Sequence, residues 1–188
     1  MKRIVIFASG SGSNAQQIVE YFAATDIARV VMIYSNRRDA YVLQRAQNLN
    51  IQTVVFNRAD FYDNHVILNH LNNINPDLIV LAGFLWKVPE KIVQAFAKRI
   101  INIHPALLPN YGGKGMYGDH VHRAVIENRE KQSGITIHYI NENYDEGAII
   151  FQATCEIEDI DTPETLAAKI HTLEHRYYPE IVKMVLSG

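Results

Sequence analysis

The sequence predicts an α/β fold: a doubly wound, mostly parallel sheet in a single domain with a C-terminal helix. Two observations predict it. Short apolar runs alternate with helical patterns from the first residue, and those runs are continuous and β-branched rather than alternating with polar residues. Strands covered by helices on both faces read this way, because neither face meets water.

Ile4-Val5-Ile6-Phe7-Ala8 is the first strand, and a glycine-rich turn hands it to a helix near Ala15–Ala24. Val30–Tyr34 is the second strand, with a helix over Tyr41–Leu49. Thr53–Phe56 is the third, followed by a helix near Asp63–Asn73. Leu78–Ala82 is the fourth, with a helix near Glu90–Lys98 behind it. Beyond Arg99 the rhythm changes. Ile100–His104 is strand-like, Pro105 to Asp119 is a long loop, and His120–Asn128 is a short helix. Ile135–Ile140 and Ala148–Ala153 form two strands with a polar connection. Asp161-Thr162-Pro163-Glu164 opens the last helix, with proline early and acids in the first turn.

The 188 residues suit one domain, 1–188, with no internal repeat or linker. With 48% apolar and 20% charged residues the composition is that of a globular protein. A formal charge of −2 offers no electrostatic footprint for nucleic acid. Lys2-Arg3 precedes only a short apolar run, whereas a secretory core takes about 7–15 apolar residues and a membrane helix about 20. No export or membrane segment is expected, and the cytoplasm is the expected compartment. The one cysteine, Cys155, excludes an internal disulfide and has no basic neighbour in sequence to activate it.

Two clusters carry chemistry. Ser9-Gly10-Ser11-Gly12-Ser13-Asn14-Ala15 lies between the first strand and first helix, where backbone amides at a helix N-terminus bind anions. Gly10, Gly12 and Ala15 also fit the loose dinucleotide pattern. That pattern wants an acid at the end of the second strand. Tyr34-Ser35-Asn36-Arg37-Arg38 supplies none, so NAD is disfavoured and a phosphate site is preferred over a ligand-free turn. Arg37 and Arg38 leave an NADP-dependent oxidoreductase as a distant alternative.

The second cluster ends the fifth strand. Residues two apart on a strand share a face, so Asn102 and His104 project together while Ile101 and Ile103 face away. Ligands of open α/β sheets bind at the carboxyl ends of strands. An amide and an imidazole there are suited to stabilise one oxyanion. Asp145, in Tyr144-Asp145-Glu146-Gly147, is the candidate carboxylate for His104, although spacing alone does not bring them together. His138 is a further candidate.

Ser9-Gly10-Ser11-Gly12-Ser13-Asn14, Leu81-Ala82-Gly83-Phe84, Asn102-Ile103-His104-Pro105-Ala106-Leu107-Leu108-Pro109 and Tyr144-Asp145-Glu146-Gly147 follow in this order. With these motifs the chain resembles the phosphoribosylglycinamide formyltransferases, from first strand to C-terminal helix. The resemblance implies a formyltransferase-like Rossmann-type fold and two small-molecule substrates, 10-formyltetrahydrofolate and 5′-phosphoribosylglycinamide, with no metal. It implies that Asn102 and protonated His104 stabilise the tetrahedral oxyanion while Asp145 sustains the imidazolium and helps move protons. It maps phosphate binding to Gly12, Ser13 and Asn14, the substrate's amino end to Glu174, and folate binding to Leu85, Trp86, Lys87 and Val88 together with Asn102. A formyltetrahydrofolate hydrolase-like core and a non-catalytic nucleotide-binding module remain the alternatives; the hydrolases carry an added N-terminal region.

Three features stand apart. His171-Thr172-Leu173-Glu174-His175 matches a zinc-protease pattern, but no third ligand is in prospect. The family's basic residue toward the folate is missing from Phe61-Tyr62-Asp63-Asn64-His65, and Lys87 is the substitute in view. The glycine-rich Tyr111–Gly118 segment is expected to be a lid that orders over substrate.

Overall fold

The computed structural model describes residues 1–143 and 145–188, and Tyr144 of the Tyr144–Gly147 motif lies outside the described residues. Seven strands form one sheet: β1 (Lys2–Phe7), β2 (Ala28–Ser35), β3 (Thr53–Val55), β4 (Leu78–Leu81), β5 (Ile100–His104), β6 (Gln132–Tyr139) and β7 (Ile149–Glu156). Among the described residues six α-helices accompany them: α1 (Ser13–Ala23), α2 (Val42–Asn48), α3 (Val66–Ile74), α4 (Glu90–Ala95), α5 (Asp119–Glu127) and α6 (Pro163–Ser187). The strand order is β3-β2-β1-β4-β5-β6-β7. β3 to β5 run parallel, while β6 is antiparallel to both β5 and β7. The mostly parallel, doubly wound sheet read from the sequence is therefore present, with an antiparallel edge.

Alternation within each continuous run sends side chains to two cores. Ile4 and Ile6 of β1, with Ile101 and Ile103 of β5, pack under Ile18, Phe22, Ile170 and Val182 of α1 and α6. Val5 and Phe7 face the other way, with Ile79 and Leu81, onto Ile67, Leu71 and Ile92 of α3 and α4. Both sides of the sheet are thus dry, which is why these strands carry no polar alternation.

The sequence places the third helix from Asp63; the chain instead makes a π-helical turn over Ala59–Asp63 and begins α3 at Val66, after His65 in a left-handed conformation. The reason is a break in the ladder, as the Asn64 amide bonds the Ala59 carbonyl at 2.8 Å. At α6 the opening is as read. The Thr162 hydroxyl accepts from the Thr165 amide, the Thr165 hydroxyl accepts from the Thr162 amide, and Pro163 takes the first turn. The same helix is tied to the end of β4 by the buried Tyr178 hydroxyl, which donates to the Leu81 carbonyl at 2.9 Å. Among the described residues no helix is long and apolar enough to cross a membrane.

The strand order reverses between β1 and β4, since β1 pairs with β2 on one side and β4 on the other. A crevice opens at such a switch point beyond the strands' carboxyl ends. Here it is bounded by the glycine turn after β1, the Gly83–Val88 segment after β4 and the end of β5.

Candidate active site

The crevice is a cleft of about 630 Å³. Its first wall is the glycine turn. Gly12 adopts φ +73° and leads into α1, leaving the amides of the first helical turn without partners inside the helix. A side chain at Gly12 is excluded twice, by the left-handed backbone and by Val42, whose own Cβ would lie 2.5 Å from an added Cβ. The close approach exists because the Val42 amide donates to the Gly10 carbonyl at 3.1 Å. Arg45 braces the turn from α2, donating to the Ser11 carbonyl at 2.9 Å and to Gln16. Ser9 ties the turn to its neighbours. Its buried hydroxyl donates to Asn36 at 2.7 Å and accepts from the Leu85 amide at 2.9 Å.

Asn14 departs from a simple phosphate contact. Its side chain is buried and donates to Glu174 Oε2 at 2.9 Å, so it is the backbone amide that Asn14 can offer an anion. Glu174, on α6 and only 6% exposed, is also held by His171 Nδ1 at 2.9 Å. That bond raises the His171 pKa against its partial burial. The glycine turn and the residue expected at the amine end are thereby one hydrogen-bonded unit. Asn14 Oδ1 and His122 Nδ1 are buried without hydrogen-bond partners among the described residues, and both residues line the cleft. Such orphaned polar atoms fit a polar ligand.

The second wall is at the end of β5. Antiparallel pairing sets Asn102 opposite His138 and His104 opposite Thr136. Asn102 Nδ2 lies 3.2 Å from His138 Nε2, and His138 Nδ1 lies 2.9 Å from the Tyr139 carbonyl. A carbonyl only accepts, so Nδ1 carries a proton, and Nε2 stands between the Asn102 amide nitrogen and the Asp145 carboxylate, able to accept from the first or, when protonated, to donate to the second. His104 is 3% exposed and donates from Nε2 to the Tyr111 carbonyl at 2.7 Å.

Asp145 is brought to this pair. Its Oδ2 is 3.6 Å from His104 Nδ1, its Oδ1 is 3.6 Å from His138 Nε2, and Oδ2 accepts from the Gly113 amide at 2.9 Å. Burial pushes the Asp145 carboxyl up, but His138, the charge of His104 and the Gly113 amide outweigh it, so it stays below the usual carboxylate range. For His104 the balance is opposite. Burial pushes the imidazole below its ordinary value, opposed by Asp145 and the Tyr111 carbonyl.

The third wall is aromatic. Phe84 and Trp86 join Phe7, Phe56 and Phe61, with Trp86 edge-on to Phe56 at 5.9 Å. Leu85 and Lys87 are exposed, Trp86 is half-buried and Val88 is buried. The Lys87 carbonyl accepts from the Tyr62 hydroxyl at 2.8 Å. No basic residue stands in Phe61–His65, and the nearest cation in sequence ahead of that segment is Arg58. The Arg58 guanidinium sits 5.1 Å over the Tyr62 ring and 5.2 Å over Trp86. Arg58 is thus a cation beside Trp86 that the reading of Phe61–His65 and Lys87 did not include. Its only trace in the sequence is its place just ahead of the aromatic pair Phe61-Tyr62.

Other expectations fall outside the chemistry. His171 and His175 stack at 6.1 Å, but among the described residues no group of three or more His, Cys, Asp or Glu is arranged to hold a metal ion. Arg37 is paired with Asp39 at 2.9 Å. Cys155 lies in β7, half-buried, with burial pushing its thiol up.

A family model described as formyl transferase matches residues 2–182. The chain is 40% identical over 187 residues to a chloroplastic phosphoribosylglycinamide formyltransferase of Arabidopsis thaliana, covering 96% of this chain and 64% of that protein. It is 37% identical over 193 residues to the phosphoribosylglycinamide formyltransferase of Haemophilus influenzae, covering 100% of this chain and 89% of that one. The chain thus spans less than two thirds of the plant relative and most of the bacterial one. The crystal structure of glycinamide ribonucleotide transformylase 1 from Symbiobacterium toebii superposes with a TM-score of 0.91 at 34% identity, covering 100% of this chain and 89% of that one.

Proposed function

We propose that this chain, which belongs to the formyl transferase family, transfers the formyl group of 10-formyltetrahydrofolate to the primary amine of 5′-phosphoribosylglycinamide, a step of purine biosynthesis. One observation carries the reading: Asn102, His104 and Asp145 converge in a cleft that also holds an amide-rich turn and an aromatic wall. The names of the relatives point the same way.

The phosphate end of the amine substrate suits the first-turn amides after Gly12, including those of Ser13 and Asn14, where the helix dipole adds its field. Glu174, fixed by Asn14 and His171, is left to receive the substrate's amino end. Trp86 and the Leu85–Val88 segment suit the folate, with Arg58 and Lys87 as the cations beside them. The folate supplies an activated formyl group on nitrogen.

The amine nitrogen adds to the formyl carbon, and negative charge gathers on the formyl oxygen. The Asn102 NH₂, beside His138, donates to that oxygen. His104 keeps its Nε2–H on the Tyr111 carbonyl and offers Nδ1–H to the same oxygen. Burial depresses the His104 pKa in the free protein, so the imidazolium is favoured most once the oxyanion forms beside it. Asp145, ionised and close to Nδ1, holds that proton in place and passes the amine's proton toward the leaving folate nitrogen through water. The carbon–nitrogen bond to the folate then breaks, and the folate nitrogen leaves protonated. Proton transfer of this kind is worth about 10²–10⁴-fold.

The test is turnover. Incubation with both substrates is expected to release tetrahydrofolate only when the amine is present. Release that proceeds with water alone would identify a hydrolase instead, and ligand binding without release would identify a binding module.

A further inference from the structure

We infer that Tyr111 is a positioning residue for His104, its backbone carbonyl setting the imidazole while its side-chain hydroxyl anchors that carbonyl from the far side of the loop. The inference rests on the proposed role of His104 as a hydrogen-bond donor in formyl transfer.

The contact to His104 is short and specific, with Nε2 2.7 Å from the Tyr111 carbonyl oxygen. A carbonyl can only accept, so this bond assigns a proton to Nε2 and leaves Nδ1 facing the Asp145 carboxylate at 3.6 Å. The ring is therefore bracketed by two acceptors. A neutral imidazole can donate to one of them; the doubly protonated ring can donate to both. The Tyr111 carbonyl thus favours the donor state that the chemistry needs, in a site whose burial disfavours it.

A carbonyl does this only if it is held in place. Tyr111 has φ +57°, a left-handed conformation that a residue with a side chain adopts at a cost. Its ring is pinned beyond the loop by the segment that follows α5. The hydroxyl donates to Glu130 Oε1 at 2.7 Å and accepts from Asn128 Nδ2 at 2.9 Å. Two residues on, the Gly113 amide donates to Asp145. Tyr111 through Gly113 therefore hold both members of the His104–Asp145 pair, and the Tyr111 hydroxyl fastens that segment to the body of the protein. The tether lies away from the phosphate turn and the aromatic wall, so its loss falls on the chemical step and not on binding.

The experiment is Tyr111→Phe in the full chain, which keeps the ring and removes the anchor. Histidine ¹⁵N NMR without substrates reads the protonation of His104 directly. The titratable groups that act on this ring are Asp145, His138 from β6, His122 from α5 and Glu174 from α6, and all four are unchanged in the variant. Loosening the carbonyl is expected to move the His104 titration to lower pH. It is also expected to lower kcat about 10-fold, the worth of one net hydrogen bond, with both KM values held within about twofold on the same basis. The profile of kcat is expected to lose its activity at lower pH on the limb where His104 deprotonates. Glu130→Gln keeps an acceptor and is expected to stay near wild type. Glu130→Ala, which keeps the Asn128 bond, is expected to move the titration and kcat in the same direction by less, and the double variant to be no worse than Tyr111→Phe alone. An unchanged His104 titration in Tyr111→Phe, or a loss confined to KM or thermal stability, would overturn the inference. A wild-type chain that transfers no formyl group would instead overturn the proposed function, and the NMR titration would still decide whether Tyr111 sets His104.

Discussion

Replacing Gly12 by alanine is expected to destabilise the protein by about 2–5 kcal/mol, the sum of two separable costs. The first is backbone. Gly12 sits at φ +73°, where a residue with a Cβ pays about 1–2 kcal/mol. The second is steric. The new methyl carbon would run into Val42 Cγ2, and would lie 2.5 Å from the Val42 Cβ and 2.8 Å from its backbone. Forcing an extra carbon into a packed site costs about 1–3 kcal/mol, and Val42 is fully buried. The assay is equilibrium denaturation of the wild type, Gly12→Ala, Val42→Ala and the double variant. Trimming Val42 removes the clash with Cγ2 but leaves the crowding by its Cβ and backbone. The cycle should therefore show a favourable coupling of about 1 kcal/mol or more, while most of the backbone cost persists. Because the turn also opens α1, KM for the phosphorylated substrate should rise along with the loss of stability. A Gly12→Ala variant within about 0.5 kcal/mol of wild type, the scatter of an ordinary surface change, would refute both halves of the reasoning.

His104→Ala is expected to cut kcat by about 10²–10⁴-fold, and Asn102→Ala by about 10²–10³-fold, both with unchanged circular dichroism. Arg58→Ala should cost about 0.5–1 kcal/mol of stability through the lost contacts with the Tyr62 and Trp86 rings, read as a lower midpoint of urea denaturation. The hydrogen bond from Lys169, with those from the Glu158 amide and the Thr165 hydroxyl, brings the Asp161 carboxyl down to about 2. An unfolded aspartate titrates near 3.9, so the unfolded state binds the proton first as pH falls. The stabilisation is complete above roughly pH 4 and is lost as pH drops toward 2. Thermal melts of Asp161→Asn should show a lower Tm than wild type at pH 7, with the difference shrinking into acid.

Local chemistry is legible in the sequence, and contacts across the fold are not. The buried strands announce themselves because each needs an unbroken apolar run, and the glycine turn because few other residues can adopt its backbone. Asn102 and His104 are legible for the same reason, as two polar side chains on one face of an otherwise apolar strand. Asp145 reaches them only through the antiparallel pairing that sets His138 opposite Asn102, a register fixed by tertiary structure. The Asn14–Glu174 bond joins residues 160 apart, and no local pattern encodes it. Arg58 stands ahead of the Phe61–His65 segment in which the family's cation is expected, and its place over Trp86 depends on the π-helical turn that follows it. Tyr111 acts through its backbone carbonyl, a group every residue carries, so its identity gives no sign of its contact with His104.

Transfer of the formyl group to an amine held in the Asn102–His104–Asp145 cleft can be followed by supplying 10-formyltetrahydrofolate labelled with ¹³C in the formyl group, together with 5′-phosphoribosylglycinamide, and locating the label in the products. One labelled formamide on the glycinamide nitrogen is expected for each tetrahydrofolate released, and none of either with His104→Ala beyond a slow residual rate. Label recovered as free formate, or left on the folate, would contradict transfer to the amine.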